Sequence, residues 1–185
     1  MEMPKVVDFE TRVRFFDEAM KNIVTPEFRQ YLINEGFFTA PASTKYHGSK
    51  EGGLFDHSFT VMSFLMELSA KEGLKWSRKE SPLIIGMFHD LCKIDCYLPI
   101  IDPETKAVSY KFNTDTLLKG HGDKSVMLLS SKIQLTEEEV MCIRYHMGAF
   151  TDKEEWNDYT GAIHKFPNVL WTHQADMLAS HVAGI

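Results

Sequence analysis

Residues 83–90 read Leu83-Ile84-Ile85-Gly86-Met87-Phe88-His89-Asp90, an apolar run that predicts a buried helix and ends in a histidine and an aspartate. An ionised aspartate in an apolar interior is costly unless a cation or several hydrogen bonds compensate its charge. Burial of Asp90 beside His89 therefore favours a metal site over a solvated salt bridge. Taken alone, the pair is more often a hydrogen-bonded core histidine beside a helix-terminal aspartate, so the metal hypothesis needs further ligands.

Further ligand candidates occur in the same kind of context, near predicted helices, and they are His57, His121, His146 and Asp176. A helix predicted over Leu54–Lys71 carries an apolar stripe that includes His57, so the ring of this histidine points inward. The last predicted helix, Phe166–His181, places Asp176 on its inner stripe in the same way. A solvated aspartate would lie on the opposite face.

His146 and His121 are placed by signals that mark the ends of helices. The run Thr136-Glu137-Glu138-Glu139 has the pattern of a capping box and predicts a helix over Thr136–Met147, whose inner face includes His146. His121 stands between two glycines, which allow close approach of backbone, and it opens a helix predicted over Asp123–Lys132. Both histidines are therefore expected at helix ends.

Four imidazoles and two carboxylates form a ligand set of nitrogen and oxygen atoms. Such a set suits iron, manganese, zinc, cobalt or nickel, and it is too rich in imidazole for a dedicated calcium site. Six ligands are too many for one catalytic metal with an open position. Two divalent ions about 3.5 to 4 Å apart, bridged by one carboxylate, would use all six and leave positions for water and substrate. Asp90 is the natural bridge.

The chain resembles the dinuclear form of the HD-domain metallohydrolase superfamily in the order of its ligand candidates, His57, His89-Asp90, His121, His146 and Asp176. Its stretch His-Asp-Leu-Cys-Lys at 89–93 is similar to the family's His-Asp-x-Gly-Lys, with Cys92 in the glycine position. Residues 52–58, Gly-Gly-Leu-Phe-Asp-His-Ser, are similar to the Gly-Gly-Leu-Leu-Glu-His-Thr segment of HD-type bacterial 3′-5′ exoribonucleases. Unlike the HD-GYP phosphodiesterases, the chain has no second histidine beside His146.

The resemblance implies an all-α HD-domain helical bundle with a small β-hairpin after the His-Asp motif. It implies a single domain of residues 1–185, with N-terminal helices at 1–45 and the HD core at 46–182. The implied activity is that of a metal-dependent phosphohydrolase or phosphodiesterase, acting on a nucleotide, a cyclic nucleotide or a short oligonucleotide through a hydroxide that bridges two divalent ions. The implied metal ligands are His57, His89, Asp90, His121, His146 and Asp176.

Two other functions compete with this hydrolase. A mixed-valent diiron oxygenase acting on a small polar substrate is the alternative enzyme, because the inositol and aminophosphonate oxygenases of the superfamily resemble this chain in the same ligand order. Hydrolases are commoner than oxygenases across the superfamily, and this analogy favours the hydrolase. A catalytically inactive binding module would require the loss of ligands, and all six are present.

Asp90 and Lys93 are the candidate catalytic residues, and Lys93 and His47 are the candidate substrate contacts. Lys93 follows His89 by one helical turn and could neutralise charge that develops on a phosphate, or it is a solvent-facing lysine near a helix C-terminus. His47 either contacts the substrate, protonates a leaving group, or is an ordinary loop histidine. His173, one turn before Asp176, is a structural residue that could order that carboxylate. Structural roles are also assigned to His164 and His181.

Helical signals dominate the chain, and they predict helices over Asp8–Lys21, Pro26–Glu35, Leu54–Lys71, Ser81–Leu91, Asp123–Lys132, Thr136–Met147 and Phe166–His181. Ser81 is the expected cap of the fourth helix, with Pro82 at the first helical position. The segments Tyr97–Ile101 and Ala107–Phe112 flank a turn and predict a hairpin, which is either a flap over the metals or an ornament of the surface. Ala40–Gly53 is the expected mobile loop at the mouth of the pocket.

Size and charge fit a small enzyme with one domain. The chain has 185 residues, 44% of them hydrophobic, and a formal charge of -6, which argues against a surface built for long nucleic acids. We find neither a signal-peptide core nor an apolar run of membrane-spanning length, and three cysteines outside a CxxC arrangement suit a reducing compartment. We therefore expect a cytoplasmic protein without a membrane partner that acts on a small phosphorylated substrate such as a nucleotide. The sequence leaves open whether the protein forms a homo-oligomer.

Overall fold

The computed structural model describes residues 7–46 and 48–185. Helices dominate this part of the chain, and its sheet is a two-stranded antiparallel hairpin. The prediction of a mostly α-helical fold with a small β-hairpin after the His-Asp pair is confirmed. Within the described ranges we find no helix that is long and apolar enough to cross a membrane.

Eight α-helices follow one another along the described chain: α1 (Phe9–Met20), α2 (Pro26–Asn34), α3 (Gly53–Glu72), α4 (Ser81–Phe88), α5 (His121–Ser130), α6 (Glu137–Arg144), α7 (Trp156–Lys165) and α8 (Asn168–Met177). The hairpin strands are β1 (Tyr97–Ile101) and β2 (Val108–Phe112). Short helices of other types are the 3₁₀-helices Leu91–Asp95, Gly148–Phe150 and Lys153–Glu155 and the π-helix Leu178–Ala183.

Helix α6 begins with the predicted capping box. The backbone N–H of Glu139 donates to Thr136 Oγ1, and the N–H of Thr136 donates to the Glu139 carboxylate. The predicted cap of α4 is wrong, because Glu80 occupies the cap position and Ser81 is the first helical residue. The Ser81 hydroxyl instead donates to Glu139 Oε1 over 2.8 Å. The demand of a buried carboxylate for donors outweighs the local capping preference of serine.

Helix α4 is shorter than predicted. It ends at Phe88, and a 3₁₀-helix over Leu91–Asp95 replaces the expected last turn. Between the two helices, Asp90 adopts φ -102° and ψ 18°. This is the sparsely populated bridge region of backbone conformations, in which many active-site residues are found. The His-Asp pair therefore lies in a turn at the end of α4 and not inside a continuous helix.

Helix α7 is not among the predicted helices. Its side chains are mostly exposed and only Ala162 is buried, so it covers the surface of the bundle. Gly161 interrupts its interior and weakens the helical signal. The residues that could have revealed it are Trp156, Tyr159 and Ile163, which recur at helical spacing and of which Tyr159 and Ile163 pack against the core.

The hairpin forms as predicted. Tyr97 pairs with Phe112 at its base and Ile101 with Val108 near its tip. In the turn, the Asp102 carboxylate accepts hydrogen bonds from the N–H groups of the following residues, which is the usual role of an aspartate at the start of a turn.

Phenylalanine side chains build much of the core. Phe16 of α1 packs edge-on against Phe38 with 5.3 Å between ring centroids, and Phe28 of α2 lies 5.4 Å from Phe88 of α4. Buried aromatic rings supply large apolar areas and prefer such tilted or edge-on arrangements. Helices α1 and α2 therefore share one core with the helix that precedes the His-Asp pair.

Helices α3 and α4 approach each other closely at Gly86. A Cβ atom built on this glycine would lie 2.3 Å from Cα of Met62 in α3. Because the obstructing atom belongs to the backbone, no change of side-chain conformation can make room. Glycine therefore sets the distance between the two helices that carry His57 and lead to His89.

Gly86→Ala should lower the free energy of unfolding by about 1 to 3 kcal/mol, the usual cost of overpacking a core. The matched control is Gly161→Ala, because nothing lies within 4 Å of a Cβ built at that position in α7. The control should be neutral or stabilise the protein by up to about 1 kcal/mol. Urea unfolding of both variants measures the difference. A Gly86→Ala variant as stable as the wild type would rule out the close contact between α3 and α4.

Candidate metal centre

Six predicted ligands come from five separate parts of the fold. His57 stands in the second turn of α3, His89 and Asp90 follow α4, and His121 begins α5. His146 follows α6, and Asp176 lies in the last turn of α8. Their ligand atoms form three overlapping groups with all atoms of a group within 4.8 Å of one another: His57, His89 and Asp90; His89, His146 and Asp176; Asp90, His121 and His146.

Asp90 lies at the centre of this cluster, and its two carboxylate oxygens face different histidines. Oδ1 lies 2.6 Å from Nε2 of His121 and 3.5 Å from Nε2 of His146. Oδ2 lies 3.6 Å from Nε2 of His57 and 3.6 Å from Nε2 of His89. The side chain is 3% exposed. One buried carboxylate thus joins two pairs of imidazoles, which is the arrangement expected of a bridging ligand.

Backbone carbonyls hold three of the imidazoles in one tautomer. Nδ1 of His89 lies 2.9 Å from the carbonyl oxygen of Gly86, and Nδ1 of His146 lies 2.7 Å from that of Ile143. A carbonyl oxygen can only accept, so Nδ1 donates in each case and a neutral ring presents a lone pair at Nε2. Metal-binding histidines in proteins are commonly fixed by such a bond.

His57 is held in the same way by a distant part of the chain. Its Nδ1 lies 2.9 Å from the carbonyl oxygen of Ile185, 128 residues later in the sequence. The π-helix after α8 and Gly184, with φ 72°, lead the chain to this point. Nothing in the local sequence around His57 signals this contact.

The cluster is rich in lone pairs and fits a cation. Nε2 of His57 and Nε2 of His89 are only 3.3 Å apart. Burial lowers the pKa of His89 to about 3, so this ring is neutral at pH 7. Nε2 of His146 is buried and, among the described residues, has no hydrogen-bond partner. Unpartnered buried nitrogen atoms are rare, and a metal ion that accepts their lone pairs would satisfy them.

The charges of the cluster lead to the same conclusion. Burial alone would raise the pKa of Asp90, but the Lys93 ammonium, 2.6 Å from Oδ2, and the neighbouring imidazoles lower it well below its ordinary value. Burial would also raise the pKa of Asp176, and a hydrogen bond from His57, donated only while Nε2 of that ring carries a proton, is the main influence that lowers it. Although burial would lower the pKa of His146, the Asp90 carboxylate raises it. With the imidazoles neutral, two carboxylates and one ammonium leave a net negative charge in the protein interior. Bound cations would compensate it.

Close packing of α5 on the end of α6 brings His121 to His146. A Cβ atom built on Gly122 would lie 2.1 Å from the carbonyl oxygen of Arg144, which confirms the expected close approach of backbone. The two imidazole rings are 5.1 Å apart. His121 is the most exposed of the histidines in the cluster, with 34% of its side chain accessible, and Cys92 Sγ lies 3.7 Å from its Nδ1.

A cavity of about 360 Å³ opens onto the cluster. Its polar side is formed by Asp90, Lys93, His121, His146, His173, Asp176, Ser180 and His181. Its other lining residues are Ala42, Ser43, Tyr97, Phe112, Met147, Phe150 and Met177. The base of the hairpin thus borders the cavity, in line with the first of its two alternatives. Part of the Ala40–Gly53 segment borders the cavity as expected, while the mobility of that segment stays a prediction.

The other candidates have different surroundings. The alternative prediction for Lys93, a solvent-facing lysine near a helix C-terminus, does not hold. The side chain of Lys93 is 11% exposed and pairs with Asp90. His173 donates from Nδ1 to the carbonyl oxygen of His146. It therefore stabilises the backbone at His146, whereas the sequence suggested that it could order Asp176. Arg144 pairs with two surface carboxylates and does not line the cavity. His47 lies outside the described residues.

Arg12 and Asp56 form a buried ion pair that is not among the predictions from the sequence. Arg12 Nε lies 2.8 Å from Asp56 Oδ1, and the two side chains are 6% and 3% exposed. Lys50 Nζ lies 2.9 Å from the other carboxylate oxygen. The signal was present, because Asp56 directly precedes His57 in the apolar start of α3. The pair ties α1 to the first turn of α3 and thereby fixes the position of His57.

Arg12→Ala should lower the free energy of unfolding by about 3 kcal/mol, because it removes one partner of a buried carboxylate. Arg29→Ala is the control, since Arg29 and Asp17 are joined over 2.6 Å but are 36% and 44% exposed. Loss of this exposed pair should cost at most about 1 kcal/mol. Chemical denaturation gives both values, and equal losses would contradict the structural role of the buried pair.

Comparison of the chain with models of known protein families, with curated proteins and with solved structures found no match. Fold and site together define a mostly α-helical protein with a buried cluster of histidines and aspartates that could bind metal.

Proposed function

We propose that this protein is a metal-dependent phosphohydrolase or phosphodiesterase of the HD-domain type with two divalent metal ions. The observation that carries the proposal is the geometry of Asp90, whose Oδ1 faces His121 and His146 while Oδ2 faces His57 and His89. The same order of ligands carries the resemblance of the sequence to the dinuclear HD-domain enzymes.

We assign the ligands of the described cluster to two sets, one for each ion. His57, His89 and Oδ2 of Asp90 would hold one ion, with Asp176, whose Oδ1 lies 3.1 Å from Nε2 of His57. The second ion would be held by Oδ1 of Asp90, His121 and His146. Imidazole and carboxylate ligands suit iron, manganese, cobalt, nickel or zinc. When bound, two such ions supply a water of lowered pKa and polarise a phosphoryl group.

Besides the metal ions, the ammonium of Lys93 would supply a positive charge to the site. Its ammonium lines the cavity next to Asp90, and burial, which would lower its pKa, is outweighed by the attraction of that carboxylate, which raises it. Lys93 therefore carries a fixed positive charge beside the position where a phosphoryl group would lie. Such a charge stabilises the additional negative charge of the transition state. We assign the substrate to small phosphorylated molecules, nucleotides among them, because the cavity is small.

Asp90→Ala and Lys93→Ala should separate metal binding from catalysis. Asp90→Ala removes the bridge and should lower the metal content from about two ions per chain to below one. The variant should also be less stable to unfolding than the metal-bound wild type. Lys93→Ala should retain both ions and lower turnover by about two to three orders of magnitude. Elemental analysis and steady-state kinetics measure the two effects.

The control for these variants is Lys71→Ala, which removes an exposed lysine paired with Glu67 on the surface of α3. It should change neither metal content nor turnover. A wild-type protein that is folded and active with one ion or fewer would overturn the dinuclear proposal. Turnover of Lys93→Ala within a factor of two of the wild type would remove Lys93 from the mechanism.

The reaction class is tested by supplying manganese, cobalt or nickel to the metal-free protein. We expect hydrolysis of an aryl phosphodiester or a small nucleotide without oxygen consumption, because hydrolysis needs no redox-active metal. Release of the aryl alcohol and an oxygen electrode give the two readings, with Asp90→Ala as the inactive control. Activity that requires iron and dissolved oxygen and is absent with every phosphate ester would replace the hydrolase by the diiron oxygenase.

A further inference from the structure

The cavity carries little positive charge of its own. Of the described residues that line it, Lys93 is the only lysine or arginine, and its ammonium is already paired with Asp90 over 2.6 Å. Arg144, the nearest arginine in sequence to His146, instead pairs with Asp123 and Glu155. A phosphate group carries between one and two negative charges at neutral pH, and each further phosphate needs further cations. Apart from Lys93, the described residues that line the cavity include no lysine or arginine that could pair with a second phosphate.

The rim of the cavity has a different character, because it presents aromatic side chains. Phe112, at the base of the hairpin, is 67% exposed, and its ring lies 5.4 Å from that of Tyr97. Phe150, at the end of the 3₁₀-helix after His146, is 65% exposed. Both rings belong to the lining of the same cavity, with Met147 beside them. Exposed aromatic faces at a binding site are suited to stack on planar rings, whatever the identity of the base.

The size of the cavity limits what these two features can bind together. Its volume of about 360 Å³ lies near the lower end of the range of ligand pockets, about 300 to 1,000 Å³. This space suits one compact ligand with a polar end at the metal centre and an apolar end at the rim. An extended chain of phosphates or several nucleotides would exceed both the space and the available charge.

We infer that the substrate carries a single phosphate group joined to one planar aromatic group, as a nucleoside monophosphate or a cyclic mononucleotide does. The phosphate lies at the metal centre beside Lys93, and the planar ring stacks on Phe112 or Phe150. This inference rests on the proposed hydrolase function and narrows its substrate class. It excludes nucleoside triphosphates and oligonucleotides as preferred substrates.

The test is calorimetric binding to the manganese-loaded protein with phosphonate analogues that resist hydrolysis. The probes are the phosphonate analogue of adenosine 5′-monophosphate, the corresponding ribose phosphonate without a base, and the α,β-methylene analogue of adenosine diphosphate. We expect the first to bind at least about 10-fold more tightly than the ribose phosphonate, because only it stacks on the rim. The diphosphate analogue should bind about 10-fold more weakly than the first, because its additional charge lacks a partner.

Variants of the rim identify the stacking residues. Phe112→Ala and Phe150→Ala together should raise the dissociation constant of the adenosine phosphonate about 10-fold and leave that of the ribose phosphonate unchanged. Replacement of both by tyrosine should restore the affinity. Ile100→Ala is the matched control, since Ile100 is 45% exposed on the other face of the hairpin and does not line the cavity.

Equal affinity for the adenosine and ribose phosphonates would overturn the aromatic subsite, and tighter binding of the diphosphate analogue would overturn the limit to one phosphate. Either result together with hydrolysis of an aryl phosphodiester removes this inference and leaves the proposed hydrolase intact. If no phosphonate binds and no phosphate ester is hydrolysed, the hydrolase proposal and this inference fail together. A cyclic mononucleotide cleaved faster than a nucleoside monophosphate would identify the diester as the substrate.

Discussion

The rest of the site depends on the burial of the Asp90 carboxylate. An anion in a protein interior requires compensation by cations or donors, and its partners must come from several elements at once. Lys93 supplies one compensating charge, and the imidazoles that surround the carboxylate are carried by α3, α5 and the chain after α6. Several helices of the bundle therefore contribute to the surroundings of one side chain, and the remaining negative charge is the physical reason to expect bound cations.

The histidines can serve this carboxylate because the backbone orients them. Carbonyl oxygens accept from Nδ1 of His57, His89 and His146, so that the Nε2 atoms converge on the centre. Such preorganisation reduces the entropic cost of binding an ion, because the rings do not have to be ordered at that moment. The short distance between α3 and α4 at Gly86 and the ion pair of Arg12 with Asp56 hold these backbones in place.

The cavity combines two environments that a small phosphorylated ligand would need. Its floor contains the ionised and imidazole groups, and its rim contains exposed aromatic rings from the hairpin and from the segment after α6. Electrostatic interactions become stronger where water is excluded, so a phosphoryl group at the floor would experience Lys93 more strongly than at an open surface. In the function that we propose, the hairpin is therefore part of the binding site and more than a surface ornament.

Helical periodicity and turn chemistry are local properties of the chain. The mostly helical class, the hairpin, the capping box at Thr136 and the six polar residues that converge at the centre can therefore be predicted from the sequence. The tertiary structure adds what these patterns do not contain: α4 ends before the His-Asp pair, Ser81 donates to Glu139 and does not cap the helix, and Arg12 pairs with Asp56. It alone brought the carbonyl of Ile185 to His57. These contacts join residues far apart in sequence, and they follow from the need of buried polar groups for partners, which no local pattern records.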